Sequence, residues 1–209
     1  MKSDHAHSTP TDVLVLHALR CIGFTTPPTV AAATGLAESQ VESTLSDLTA
    51  AGLVTHLEGA FGGWGLTEVG RAADAERIAA DLDAASARPT AAAGYEAFLV
   101  LNAELLDLCT AWQLTNVDGA VRINDHTDHA YDSRVLERLA DLHGRATIVL
   151  APLATALPRF GRYPIRLAEA LARAQAGAQE YVADSTASYH TVWFQLHEDL
   201  LVTLGLPRH

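Results

Sequence analysis

Residues 48–71 read LTAAGLVTHLEGAFGGWGLTEVGR, and this stretch decides the fold of the N-terminal part of the chain. Gly52 is the residue type that commonly follows the last turn of a helix. Residues 54–57 and 64–66 have the composition of two short strands, and the glycine-rich residues 59–63 suit the tip between them. Thr67 is placed to cap a following helix. The stretch therefore predicts a helix, a two-stranded hairpin and a second helix.

The residues before this stretch predict two further helices and the main part of the helix that ends at Gly52. Residues 13–22 are almost wholly apolar, except for His17 and Arg20, which predicts a helix buried on most sides. A pair of prolines then breaks the chain, and residues 29–34 and 37–51 predict a helix-turn-helix.

The second helix of this pair has one apolar face and one polar face. Val41, Leu45 and Leu48 recur at the spacing of a buried face, which leaves the polar side chains outside. A recognition helix meets the DNA major groove with such a polar face. The residues predicted to bind DNA are Ser39, Gln40, Ser43, Thr44 and, on the hairpin, Trp64.

A pattern of the form L-x-x-x-G-L-V followed by L-T-x-x-G-R spans the predicted recognition helix and hairpin. It is carried by Leu48, Gly52, Leu53, Val54, Leu66, Thr67, Gly70 and Arg71. In this pattern, residues 11–84 resemble the winged helix-turn-helix of MarR-like bacterial transcription regulators. The resemblance implies a regulator that binds double-stranded DNA.

The charge of this region limits how DNA could be bound. Residues 1–84 contain eleven acidic and four basic side chains, and Glu38, Glu42 and Asp47 lie on the predicted recognition helix. DNA binding usually depends on neutralising phosphates. Phosphate contacts are therefore expected from hydroxyl groups, backbone N–H groups and helix N-termini. The alternative is a protein-interaction module whose acidic winged helix does not bind DNA.

Composition predicts an ordinary soluble globular protein. The chain has 209 residues, of which 49% are hydrophobic and 19% charged. Neither a signal peptide nor an apolar run long enough for a membrane helix is evident. Cys21 and Cys109 each lie in an apolar helical pattern, so we expect buried thiols rather than a disulfide. These features predict a cytoplasmic protein with no membrane partner.

The predicted fold class is mainly α, with a winged helix-turn-helix and its small β-wing followed by an all-helical, bundle-like domain. The predicted segments are a flexible tail at residues 1–10, the winged helix-turn-helix at 11–84, a linker at 85–93 and a helical sensor or dimerisation domain at 94–209. After Pro89 the pattern predicts helices over 91–112, 132–143, 146–157, 163–175 and 184–204. Gly144 is expected to end one of them, and Pro152 to kink or split another.

A stripe of small apolar residues on the helix after the hairpin suggests a packing surface. Ala72, Ala75, Ala79 and Leu82 fall at helical spacing, with Ile78 at the edge. Regulators that read two-fold symmetric DNA sites are dimers. We therefore expect a homodimer.

The last predicted helix places polar rings among apolar ones. His190, Phe194 and His197 share a face there. Such residues could line a pocket for a planar small-molecule effector. The alternative is that the histidines are core or interface residues bonded to backbone carbonyls. The predicted ligand-binding residues are Trp112, Tyr189, His190, Trp193 and His197.

Three arginines stand out in an otherwise acidic chain. Arg159, Arg162 and Arg166 could form a basic ridge for an anion or for docking against the acidic winged helix of the same or a partner chain. The alternative is a solvated face with ordinary salt bridges.

His126 and His129 are weak metal-ligand candidates, because acidic residues surround them in one short loop. The alternative is that Asp125 and Asp128 cap the next helix while the histidines face solvent. No metal or cofactor is expected. No nucleophile, phosphate-loop or zinc-protease motif occurs, so an enzyme that uses pocket histidines is only a third hypothesis. The sequence favours a ligand-responsive transcription regulator.

Overall fold

The structure, a computed structural model, describes residues 8–59, 62–117 and 119–207. Within these ranges it is mainly helical, as predicted. The α-helices are α1 (Thr11–Ile22), α2 (Pro27–Thr34), α3 (Glu38–Ala50), α4 (Glu68–Ala84), α5 (Arg88–Gln113), α6 (His129–Ala156), α7 (Arg162–Gln175) and α8 (Tyr189–Leu204). Short 3₁₀ helices cover Pro158–Gly161 and Gln179–Tyr181. Residues 1–7 of the predicted tail and residues 60–61 of the predicted hairpin tip lie outside the described ranges.

Four short strands form two antiparallel hairpins in the described part of the chain. β1 (Val54–Leu57) pairs with β2 (Gly63–Leu66), as the sequence predicted. β3 (Leu114–Val117) pairs with β4 (Ala120–Ile123), in a region where the sequence pattern predicted only helix. That expectation was wrong because every residue of β4 is exposed, so the apolar and polar alternation that signals a half-buried strand is missing.

The chain divides into two compact units. The first unit consists of Met1–Ala92, Leu153–Arg162 and Gln195–His209, and the second of Ala93–Pro152 and Tyr163–Phe194. Two segments from late in the sequence thus belong with the N-terminal elements. The predicted linker contains the start of α5, and its Ala87 and Ala91 are buried. Thr9, in the predicted tail, is also buried.

The apolar core of the first unit gathers α1, α2, α3 and the β1–β2 hairpin. Val41, Leu45 and Leu48 of α3 face this core, which confirms the predicted buried face. Thr67 caps α4 as predicted, because its hydroxyl oxygen accepts a hydrogen bond from the backbone N–H of Gly70.

Helix α4 buries a different face from the one that the apolar pattern suggested. Its buried residues are Gly70, Asp74, Ile78, Asp81 and Leu82. Ala72 and Ala75 are exposed. The difference arises because Asp74 and Asp81 face inward, where charged partners from other segments meet them. A pattern of apolar residues alone does not reveal such a face.

The core of the second unit contains an apolar face of α5, a helix that the sequence predicted over residues 91–112. Phe98, Leu101, Leu105, Leu108 and Trp112 are all buried. Helix α6 continues through Gly144 and Pro152, so the predicted helix end and break are absent. Gly144 and Pro152 are exposed, and so is Ile148, the residue whose carbonyl oxygen Pro152 cannot pair. Of the helices described, none combines the length and the apolar character that a membrane crossing requires.

Candidate functional site

Helix α1 presents a histidine and a cysteine, one turn apart, to the interior of the first unit. His17 and Cys21 are 4% and 6% exposed. The His17 ring lies between two carboxylates: Nδ1 is 3.1 Å from Oδ1 of Asp74 on α4, and Nε2 is 3.1 Å from Oδ1 of Asp199 on α8. The sulfur of Cys21 is 3.5 Å from the same Nε2. The ring is thereby held in one orientation.

A buried arginine completes this set of charges. Arg159, from the 3₁₀ helix Pro158–Gly161, donates from Nη1 to Oδ2 of Asp81 at 2.7 Å and from Nη2 to Oγ1 of Thr203 at 2.7 Å. Its Nε donates to Oδ1 of Asp199 at 3.4 Å. Thr9 donates to Asp81 at 3.1 Å. We call this set the buried polar cluster; its members are Thr9, His17, Cys21, Asp74, Asp81, Arg159, Asp199 and Thr203.

Charges within the buried polar cluster shift the pKa values of His17 and Asp199. Burial by itself lowers the pKa of His17, but Cys21, Asp199 and Asp74 together raise that pKa well above its ordinary value. Burial opposes ionisation of Asp199, yet His17 and Arg159 hold the pKa of its carboxyl below its ordinary value. The imidazolium therefore donates one N–H to each carboxylate, and charges of both signs compensate one another away from water.

The order thiol, imidazole, carboxylate also occurs in cysteine hydrolases. Burial raises the pKa of the Cys21 thiol, although His17 opposes this. A nucleophilic cysteine needs a lowered pKa and access to its substrate. Cys21 has neither, so this geometry does not favour nucleophilic catalysis.

The same atoms are suited to binding a cation. Among the described residues, His17, Cys21 and Asp199 bring one ligand atom each within 4.8 Å of one another. Imidazole nitrogen, thiolate sulfur and carboxylate oxygen are the usual zinc ligands in proteins. The sequence did not predict this group. The His17 and Cys21 spacing on a predicted helix was visible, but nothing in the sequence placed Asp199 beside them.

The predicted DNA-binding residues lie on α3 and on the β1–β2 hairpin of the first unit. Ser39, Gln40 and Ser43 are exposed, while Thr44 and Trp64 are half-buried. The side-chain oxygen of Gln40 accepts from the backbone N–H of Ala37, and Thr44 donates to the carbonyl of Gln40. Trp64 stacks on His56 with ring centroids 4.2 Å apart. Ser39, Gln40 and Ser43 are thus the exposed polar side chains of this set, and the oxygen of Gln40 is already engaged by Ala37.

The predicted ligand-binding residues are distributed over both units. Trp112, Tyr189 and Trp193 are buried in the second unit at 2%, 0% and 3% exposure. Tyr189 and Trp193 stack at 6.2 Å, whereas Trp112 lies against His126 at 4.6 Å.

The two predicted pocket histidines both belong to α8, seven residues apart. His190 is half-buried in the second unit, and half-buried His197 belongs to the first.

A small apolar cavity occurs in the second unit. It has a volume of about 10 Å³ and is lined by Leu105, Leu108, Cys109, Val135, Leu139 and Val182. None of the predicted ligand-binding residues contributes to this lining. A space of this size suits at most one water molecule rather than an effector.

The three predicted arginines have separate surroundings. Arg159 is buried in the cluster, and Arg162 donates from Nη2 to the carbonyl of Ala32 on α2 at 3.2 Å. The Arg162 guanidinium also lies against Gly35, at the turn between α2 and α3. Arg166 lies over the ring of Tyr163 at 6.0 Å.

Of the two weak metal candidates, His126 is held by the helix-start network of the second unit. Nδ1 of His126 is 3.0 Å from Oδ2 of Asp132, and Asn124 donates to the other oxygen of Asp132. Asp128 accepts from the backbone N–H of Tyr131. His129 is exposed at the start of α6.

Both cysteines are buried free thiols, as predicted. No family model, curated protein or solved structure in the comparisons matches this chain.

Proposed function

We propose that the protein is a DNA-binding transcription regulator in which α1 to α4 and the β1–β2 hairpin act as a winged helix-turn-helix. One observation carries the proposal: α3 buries one face in the core and leaves a stripe of serine hydroxyls outside, at residues 39, 43 and 46. Short hydroxyl side chains on an exposed helix contact phosphates and base edges.

The order of elements supports the same proposal. Gly35 adopts a φ of +79° between α2 and α3, a conformation that suits glycine in a tight inter-helix turn. The β1–β2 hairpin follows α3 directly, and a backbone bridge joins its Trp64 to Thr25 before α2. The hairpin is thereby fixed next to the helix pair, where a wing would contact DNA beside the recognition helix.

Arg162 supplies a positive charge that the N-terminal sequence lacks. Its contacts with Ala32 and Gly35 place the guanidinium at the α2–α3 turn. We expect few cation–phosphate contacts in total, so the slope of log affinity against log salt should be shallow. Each neutralised phosphate contributes about −0.9 to that slope.

In this proposal the protein acts as a cytoplasmic homodimer that responds to a small-molecule effector. Dimerisation would match two-fold symmetric DNA half-sites. The exposed Ala72 and Ala75 of α4 offer small side chains for close packing of a second copy. Two reduced thiols suit the cytoplasm. Light scattering should give twice the 22.2 kDa chain mass.

The test starts with selection of binding sequences from random double-stranded DNA at low salt, followed by fluorescence anisotropy at two salt concentrations. Ser43→Glu puts a carboxylate on the DNA-facing stripe and should weaken binding at least about tenfold, since like charges repel. Ser133→Glu changes a helical serine of α6 that is also exposed, and it should leave affinity unchanged.

A chain that enriches no DNA at low salt would contradict the proposal. The second candidate, a protein-interaction module, would then be preferred. It is favoured by the exposed Glu38, Glu42 and Asp47 of α3, which suit a basic protein surface better than a phosphate backbone.

A further inference from the structure

We propose that the buried polar cluster binds one divalent transition metal ion, with Zn²⁺ as the best fit, through Nε2 of His17, Sγ of Cys21 and a carboxylate oxygen of Asp199. Nothing in this proposal depends on DNA binding. It depends on how three side chains from α1 and α8 meet inside the first unit.

The distances among the ligand atoms agree with a zinc site. Nε2 of His17 is 3.1 Å from Oδ1 of Asp199 and 3.5 Å from Sγ of Cys21, and all three atoms lie within 4.8 Å of one another. Tetrahedral zinc with ordinary bond lengths keeps its ligand atoms about 3.3–3.6 Å apart. Small side-chain rotations are therefore enough to close the site around an ion.

The second nitrogen of His17 has the partner that zinc histidines usually have. Nδ1 lies 3.1 and 3.3 Å from the two carboxylate oxygens of Asp74, which is 0% exposed. A carboxylate on the outer nitrogen fixes the tautomer, orients the ring and makes the inner nitrogen a better ligand. His17 and Cys21 are four residues apart on α1, so they project from the same face of the helix.

The charge balance of the cluster also permits a metal ion to replace protons. In the metal-free cluster, His17 carries a proton on Nε2 and Cys21 carries its thiol proton. Binding forms the metal–nitrogen and metal–sulfur bonds and releases these two protons to solvent. A dication thus replaces two protons, and the net charge of the buried polar cluster stays the same. No new uncompensated charge is buried.

Arg159 does not block the site. Its two shortest hydrogen bonds, both 2.7 Å, go to Asp81 and Thr203, whereas its contact with Asp199 is 3.4 Å. The guanidinium keeps its stronger partners while Asp199 turns to the ion. A ligand set of thiolate, imidazole and carboxylate favours zinc over Mg²⁺ or Ca²⁺, which take oxygen ligands.

The test uses the full chain, stripped with EDTA and then titrated with Co²⁺ as a spectroscopic probe for Zn²⁺. We expect one equivalent of Co²⁺ per chain, with the near-ultraviolet charge-transfer band of a cobalt–thiolate bond and the visible bands of tetrahedral cobalt. One equivalent of Zn²⁺ should abolish both. Cys21→Ser should lose the charge-transfer band, and Cys109→Ser, which removes the other buried thiol, should keep it.

Absence of stoichiometric binding, or a charge-transfer band that survives Cys21→Ser, would overturn the proposal. Should Cys21→Ser not fold, as judged by circular dichroism, the wild-type chain still decides the question. X-ray absorption at the zinc edge of the zinc-loaded protein should show one sulfur ligand beside nitrogen and oxygen. A shell that contains only nitrogen and oxygen would equally overturn it.

Discussion

Arg159 and Asp81 are 78 residues apart in the sequence, yet Nη1 of Arg159 lies 2.7 Å from Oδ2 of Asp81 and each side chain is only 4% exposed. Breaking a buried pair leaves a charge without compensation, which costs far more than the pair contributes in place. The buried polar cluster is therefore a point at which the first unit is vulnerable to single substitutions.

Arg159→Met should lower the free energy of unfolding by about 3–5 kcal/mol, because Asp81 and Asp199 would lose a buried cationic partner. The matched control is Arg77→Met, which removes a partly exposed pair with Asp12 and should cost no more than about 1 kcal/mol. Urea denaturation followed by circular dichroism measures both. Equal losses in the two variants would contradict a dominant role for the cluster.

Substitution by alanine at two glycines, Gly70 and Gly144, should change stability in opposite directions. A Cβ at Gly70 would overlap the backbone carbonyl of Leu53, so Gly70→Ala should destabilise the first unit strongly. A Cβ at Gly144 meets nothing within 4 Å in the described structure. Gly144→Ala should therefore stabilise α6 by about 0.5–1 kcal/mol, since alanine is the better helix former. Thermal unfolding midpoints should shift in opposite directions; a loss of stability in Gly144→Ala would show that α6 ends near that residue.

Thr67→Ala should cost about 1–2 kcal/mol, because the hydroxyl both caps α4 and donates to the carbonyl of Gly52 at 2.9 Å. Thr110→Ala removes an exposed hydroxyl that bonds only to its own helix, at the carbonyl of Leu106. That control should be neutral or slightly stabilising. If both variants unfold at the same urea concentration, the cap does not contribute as described.

Cys109 should react slowly with iodoacetamide in the native protein. Burial raises the pKa of its thiol to about 11, from an ordinary value of 9.0. A higher pKa means less thiolate at a given pH, so at pH 8 the thiolate fraction should fall about 100-fold relative to an unfolded chain. Peptide mapping by mass spectrometry distinguishes this residue from Cys21. Native labelling at the rate seen in guanidinium would contradict the burial of Cys109.

Local signals predicted the N-terminal elements well. Glycine, proline and threonine mark the ends of α2, α3 and α4, and the apolar spacing of Val41, Leu45 and Leu48 identifies the inner face of α3. These signals act within a few residues, so they can be recognised without knowing the fold.

The parts that were not predicted depend on distant residues or on exposed ones. Asp74 and Asp81 face inward only because His17 and Arg159 reach them from other segments. In the β3–β4 hairpin, the apolar residues Val121 and Ile123 are exposed. The hairpin sequence therefore lacks the alternation of apolar and polar residues that identifies a half-buried strand. The sequence between these strands did carry a usable signal, the dipeptide Asp118-Gly119, which is typical of tight hairpins.

The first unit combines early and late segments of the chain, and this affects when it can fold during synthesis. A ribosome releases the chain from its N-terminus onward, and domains generally fold as they emerge. Here His17 of α1 makes a buried ion pair with Asp199 of α8, which is synthesised long after α1. His17 can meet Asp74 of α4 earlier, but it acquires its second carboxylate only once α8 has been made. A ribosome-bound chain truncated before α8 lacks that ion pair, so its first unit should remain sensitive to protease.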